Sequence, residues 1–169
     1  ARAVARIAEI HPGVRLLLAG PVADSDWLAS VLDRTSMLAR TVVAGRLDRD
    51  DFLAAMTLTH AVVHLRYPTA RETSAALLRV MAQGRPAVIS DIANQSGIPG
   101  DAVRRVDLRD EEGGLSRAID WILRHPEAAQ AMGERSARFA RTSHAPANTR
   151  ETYGRLLNSC SPHYPRLLP

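Results

Sequence analysis

Leu65-Arg66-Tyr67-Pro68-Thr69-Ala70-Arg71-Glu72-Thr73-Ser74, running into Ala75-Ala76-Leu77-Leu78-Arg79-Val80-Met81-Ala82-Gln83-Gly84-Arg85-Pro86, is the stretch whose reading decides the fold. Before it, Ala61-Val62-Val63-His64-Leu65 is a short apolar run of strand type, and it ends in a polar loop. The loop opens directly into an apolar-striped segment that stops at Gly84, and Ala87-Val88-Ile89-Ser90-Asp91 follows as a second strand. Strand, loop, helix and strand in that order is the unit of a parallel sheet, because two parallel strands need a crossover between them. A loop at the carboxyl end of such a strand is where open α/β sheets place ligands. Glu72, Thr73 and Ser74 fall at the predicted helix start, where unpaired backbone N–H groups and the helix dipole favour an anion.

The same pattern extends outward in both directions. Residues 2–10 carry an apolar helical face that ends at His11-Pro12-Gly13, and Val14 to Ala19 reads as a buried strand closed by Gly20-Pro21. Ser25 or Asp26 is positioned to cap a helix with Trp27, Leu28, Val31 and Leu32 facing inward. Thr41 to Ala44 is a strand, and Asp48 or Asp50 then caps a helix bearing Phe52, Leu53 and Met56. After the central unit (strand 61–66, helix 72–83, strand 87–90) come a loop to Gly100 and a short strand between Val103 and Leu108. Helices follow at 114–125, 126–142 and 147–158, with Pro126 suited to a first turn. This alternation predicts an α/β, Rossmann-like three-layer domain over residues 1–158, with a mostly parallel sheet and extra C-terminal helices. Residues 159–169, with three prolines, form a tail. The chain opens on a helix where a Rossmann half opens on a strand, so the domain is expected to lack its first strand.

Composition narrows the function classes. No apolar run approaches the roughly 18 residues of a membrane span, and Cys160 is the one cysteine, which fits a reducing compartment, the cytoplasm by default. All 22 basic residues are arginine, yet the net charge is only +4. The basic side chains alternate with acids, as in Arg46-Leu47-Asp48-Arg49-Asp50-Asp51, so no nucleic-acid surface is expected. With no lysine a phosphate-binding P-loop is excluded, and Gly20 and Gly45 read as turns needing positive φ or as the lining of a crevice. The six histidines lack metal-ligand spacing, and Ser74 has neither a nucleophile-elbow context nor an evident base.

Glu72 is the sharpest single residue. Thr69 followed by Glu72 has the form of a capping box, while a carboxylate at a crevice mouth could also accept hydrogen bonds from sugar or ribose hydroxyls. Arg79 follows about two helix turns later, on nearly the same predicted face, and reads either as a surface ion-pair arginine or as a partner for Glu72 or a phosphate.

Taken together, these segments resemble the group 1 glycosyltransferases, and within them the C-terminal nucleotide-sugar-binding domain of the GT-B fold. The matching pieces are "VRLLLAG" at 14–20, "VVAGRL" at 42–47, "LRYPT" at 65–69, "ETSAALLRVMAQGRP" at 72–86 with "AVISD" after it, "IPGDAV" at 98–103, and a closing helix with Tyr153. The resemblance implies transfer of a sugar from a nucleotide diphosphate donor with retention of configuration and no bound metal or other cofactor. It implies Glu72 as the catalytic carboxylate, and Arg46, Tyr67, Thr69, Glu72, Thr73, Ser74 and Arg79 as donor contacts. Three departures stand beside it. The family's Glu-x7-Glu pattern becomes Glu-x6-Arg, with Arg79 in place of the second carboxylate; Gly97 stands where relatives often carry an acid; and the first strand and the N-terminal acceptor domain are missing. The missing strand belongs between those at 14–19 and 61–66, whose apolar edges are then left without a neighbour. The implied protein is a hexosyltransferase longer than this segment, the segment alone being inactive. The alternatives are a degenerate GT-B-like binding or interaction domain without catalysis, and a nucleotide-sugar epimerase whose catalytic acids are not found.

Overall fold

A computed structural model describes residues 1–69 and 74–159. Its elements run α1 (Arg2–Ile10), β1 (Leu16–Ala19), α2 (Ser25–Arg34), β2 (Thr41–Gly45), α3 (Arg49–Thr57), β3 (Val62–His64), α4 (Ala75–Ala82), β4 (Ala87–Ser90), β5 (Arg104–Val106), α5 (Glu111–Arg124), α6 (Pro126–Ser143) and α7 (Pro146–Ser159). The order of helices and strands is the one the sequence predicts.

Every strand pairing is parallel, in two sheets: β1 with β2, and β3-β4-β5 with β4 in the middle. Val62, Val63 and His64 lie opposite Ala87, Val88 and Ile89, and β5 continues the ladder with Arg104 opposite Val88. All four residues of β4 are buried. A strand covered on both faces needs an unbroken apolar run, which Ala87-Val88-Ile89 supplies.

Because successive side chains leave a strand on opposite faces, β4 splits the core in two. Val88 joins Val106 with Ala3, Val4 and Ile7 of α1 and Leu115, Ala118, Ile119 and Ile122 of α5. Ala87 and Ile89 instead join Met56 of α3, Leu77, Val80 and Met81 of α4, and Ala140 of α6. Helices, sheet and helices therefore form the three layers. Leu16 of β1 and Leu65 after β3 both pack against the first of these cores. Among the described residues no ladder joins β1 to β3.

Several boundaries move for local reasons. β1 starts at Leu16, not Val14, because the Val14 N–H closes a turn onto His11 O. α2 is capped by Asp24, one or two residues before the expected Ser25 or Asp26; Asp24 Oδ1 accepts from the Trp27 N–H at 2.8 Å. Leu32 is buried as expected, but Trp27 is 62% exposed, so the inward face of α2 is narrower than its periodicity suggests. Asp48 caps α3, as expected. α4 begins at Ala75 with Ser74 as its N-cap, so Thr69 is not the cap of this helix and the proposed capping box does not start it. α5 begins at Glu111 because Asp110 accepts from the Gly113 N–H and caps it. Gly20 and Gly45 take positive φ, +139° and +63°, as turn glycines. No helix of the described residues is long and apolar enough to cross a membrane. Ser159, expected to open the tail, instead closes α7, and the 160–169 portion of the expected tail lies outside the described residues.

Candidate functional site

The parallel ladder brings the carboxyl ends of β3, β4 and β5 to one edge of the molecule. There the chain leaves the sheet and its polar groups need new partners. Ser90 closes an otherwise apolar strand and is fully buried, and its Oγ accepts from the Arg66 N–H at 2.9 Å. That bond ties the loop after β3 to the end of β4, just where β3 has run out of ladder. One residue on, the Asp91 N–H donates to Val106 O at 2.8 Å and anchors the next loop to β5.

Arg105, inside β5, holds that loop by its side chain. Its Nη2 donates to Gln95 O and Ile98 O, both at 2.8 Å, and its Nη1 lies 3.5 Å from Asp91 Oδ1. Gly97, within that loop, brings no side chain to it, and the arginine's polar partners are the Asp91 carboxylate and two backbone carbonyls. His64, the last residue of β3, has its Nε2 buried without a hydrogen-bond partner among the described residues. Burial, and then the neighbouring Arg66 charge, hold its pKa below the ordinary histidine value.

α4 starts at the same edge. Ser74 Oγ accepts from the Leu77 N–H at 3.2 Å, and the first-turn residues Ala75 and Ala76 are exposed. The first turn of a helix and its dipole give such a point a partial positive character.

The predicted site residues distribute as follows. Tyr67 and Thr69 lie on the β3–α4 connection, with Tyr67 71% exposed, and Ser74 closes that connection as the α4 cap. Arg79 follows on the exposed side of α4 and forms no ion pair with another described residue. Arg46 is exposed just after β2, on the other sheet. Glu72 and Thr73 lie outside the described residues. The helical spacing expected between Glu72 and Arg79 required a helix from 72, whereas α4 begins at Ala75. Sequence reasoning missed Ser90, Asp91 and Arg105. Ser90 and Asp91 had a visible signal, two polar residues ending an apolar run, but Arg105 had none beyond its place in a short strand.

Comparison with known proteins follows from this geometry. No family model matches the chain. The glycogen synthase of Mycobacterium tuberculosis, from two strains, is 32% identical over 142 residues, covering 82% of this chain and 32% of that protein. The chain thus spans about a third of the length of the curated relatives it matches. Among solved structures, HepE of Anabaena, determined in complex with UDP-glucose, superposes with a TM-score of 0.77 at 14% identity, over 94% of this chain and 44% of that one. Sucrose-phosphate synthase of Thermosynechococcus elongatus superposes with a TM-score of 0.70 at 19% identity, over 95% of this chain and 43% of that one. The catalytic domain of the Helicobacter pylori cholesterol-α-glucosyltransferase gives 0.66 at 19% identity, over 82% of this chain and 84% of that one. These structural likenesses concern the fold, and the glycogen synthase alignment adds the sequence. The chain belongs to the group 1 glycosyltransferases, and its fold is that of their C-terminal GT-B domain.

Proposed function

We propose that residues 1–158 are the donor-binding domain of a retaining glycosyltransferase that moves a sugar, a hexose by class, from a nucleotide diphosphate to an acceptor. The observation that carries the reading is the joined edge at β3–β5. One parallel unit there brings together the α4 amino end capped by Ser74, the Ser90–Arg66 tie and the Asp91–Arg105 pair. The UDP-glucose held by a protein of the same fold supports it.

In this reading the first-turn N–H groups of α4 and Thr73 receive the diphosphate, and Arg46 offsets its charge from the neighbouring sheet. Tyr67 and Thr69 border the sugar, and Arg79 lies towards the ribose end. Glu72 is the carboxylate that stabilises positive charge developing at the sugar during transfer. No metal is assigned to the reaction. The acceptor half of the enzyme lies outside these residues, which alone carry no turnover. A cytoplasmic setting goes with the single cysteine.

One observation favours a second reading, a binding domain without catalysis. Arg79 stands where the family's second carboxylate is expected, exposed and with no ion pair to another described residue. The test is turnover. The intact encoded polypeptide is incubated with UDP-, ADP- and GDP-glucose, and the nucleoside diphosphate released is measured for the native protein and for Glu72→Gln. Release by the native protein that falls by about a hundredfold or more in Glu72→Gln supports transfer with Glu72 in the chemistry. Donor binding without release supports the second reading.

A further inference from the structure

We infer that Arg105 is a positioning residue of the donor site. It fixes the 92–98 loop and the Asp91 carboxylate beside the 65–69 loop, so that Asp91 accepts hydrogen bonds from vicinal hydroxyls of the donor. The inference rests on the donor-domain reading and adds to it a residue that the family pattern does not mark.

The geometry is specific. A guanidinium presents its donors in a rigid fork, and here that fork is spent on one loop. Nη2 is shared between Gln95 O and Ile98 O at 2.8 Å each, which closes the loop into a single turn against β5. Nη1 faces Asp91 Oδ1 at 3.5 Å, an ion pair looser than a hydrogen bond. The Asp91 backbone is pinned separately through Val106 O, so the carboxylate is held from both sides. Its side chain nevertheless stays 60% exposed and keeps acceptor capacity towards a ligand. The opposed arginine also offsets the charge of Asp91, which lets a carboxylate stand near a diphosphate.

The clamp is also incompletely matched. Arg105 Nη1 and Gln95 Oε1 are both buried, and neither has a hydrogen-bond partner among the described residues. Gln95 is itself almost wholly buried. Folded chains pair nearly all such atoms, with protein or with ordered water. The clamp is tied to the loop after β3 through adjacent residues: Ser90 holds the Arg66 N–H, and Asp91 follows directly. Loosening Arg105 therefore changes the wall of the donor site before it changes the sheet.

The test titrates the intact encoded polypeptide with UDP and with UDP-glucose by calorimetry, for the native protein, Arg105→Gln, Arg105→Lys and Asp91→Asn. Amide hydrogen exchange is followed at 92–98 and at Ala87–Ser90 in parallel. Arg105→Gln is expected to weaken binding about tenfold, as loss of a charged hydrogen-bonding group does, with faster exchange at 92–98 and unchanged exchange at 87–90. Arg105→Lys keeps the charge without the fork and falls between. Asp91→Asn weakens binding without altering exchange; loss for both ligands places the hydroxyls on the ribose, and loss for UDP-glucose alone places them on the sugar. Native binding that Arg105→Gln leaves intact overturns the inference while sparing the donor-domain reading. Exchange rising equally at 87–90 makes Arg105 a packing residue and also overturns it. Unchanged affinity in Asp91→Asn removes the hydroxyl contact. Failure of the native protein to bind either ligand, or any other nucleoside diphosphate, brings down the donor-domain reading and this inference with it.

Discussion

A β-carbon placed on Gly133 would lie 2.0 Å from the carbonyl oxygen of Gly84. The two glycines thus mark a backbone contact between α6 and the end of α4, where Gly84 turns the chain with φ +70° towards β4. This contact sets how closely α6 lies over the second core, and Ser136 and Ala137, next along α6, are buried beside it.

Gly133→Ala is accordingly expected to destabilise the fold. The better helix propensity of alanine contributes about 1 kcal/mol in its favour, but overpacking against backbone at so short a distance costs about 3 kcal/mol, leaving a net loss of about 2 kcal/mol. Urea unfolding with a lower midpoint and an unchanged slope is the expected result. An unaffected midpoint would mean that α6 shifts freely away from α4.

Ser74→Ala removes the cap of α4. The lost Oγ to Leu77 N–H bond is expected to lower stability by about 1 kcal/mol. For a chain of this size that is a fall of about 2–4 °C in thermal midpoint, read by circular dichroism. Ser74→Asp keeps an acceptor at the cap and should recover most of the loss.

The pH dependence near neutrality should carry a His64 component. Its folded pKa lies below the ordinary 6.5 because burial and then Arg66 disfavour the charged ring. In the window from 6.5 down to the folded value, the unfolded chain takes up a proton that the folded chain refuses. Stability from this group is therefore full above 6.5 and is lost as pH falls. Comparing unfolding at pH 7.5 and 5.5, the loss should be larger in the native protein than in His64→Leu. Equal losses would show that the ring is charged in the folded state.

Asp120 governs a separate, more acidic limb. Arg124, and then His11, hold its carboxyl below the usual range through hydrogen bonds, at 2.8 Å in each case. Its contribution is present above the ordinary carboxylate pKa and is lost as pH falls through the lower folded value. Asp120→Asn should flatten the stability profile below the ordinary aspartate pKa of 3.8 while leaving the region above pH 6 with its slope. A profile of unchanged shape would remove Asp120 from the acid transition.

Much of this architecture is legible in the sequence because period and punctuation agree. Ala87-Val88-Ile89 is apolar throughout and proves to be the central strand, and Pro126 opens α6. The errors fall where one polar side chain captures a backbone donor. Asp24 takes the Trp27 N–H and Ser74 takes the Leu77 N–H, and in each case a rival Ser, Asp or Thr nearby has the same chemistry. Trp27 misleads for another reason: its helical spacing is right, but α2 buries only Leu32 fully. The site is less legible than the fold. Tyr67, Thr69 and Ser74 share a loop and can be read off one segment. Arg105 acts on carbonyls several residues away, and carbonyls leave no mark in a sequence.

The central claim, that this domain receives a nucleotide diphosphate at the β3–β5 edge, is tested most directly by saturation-transfer NMR on the intact encoded polypeptide with UDP, ADP and GDP. Magnetisation passing to at least one nucleoside diphosphate, and lost on adding the matching sugar nucleotide, is the predicted result. No transfer to any of the three at millimolar ligand would contradict it.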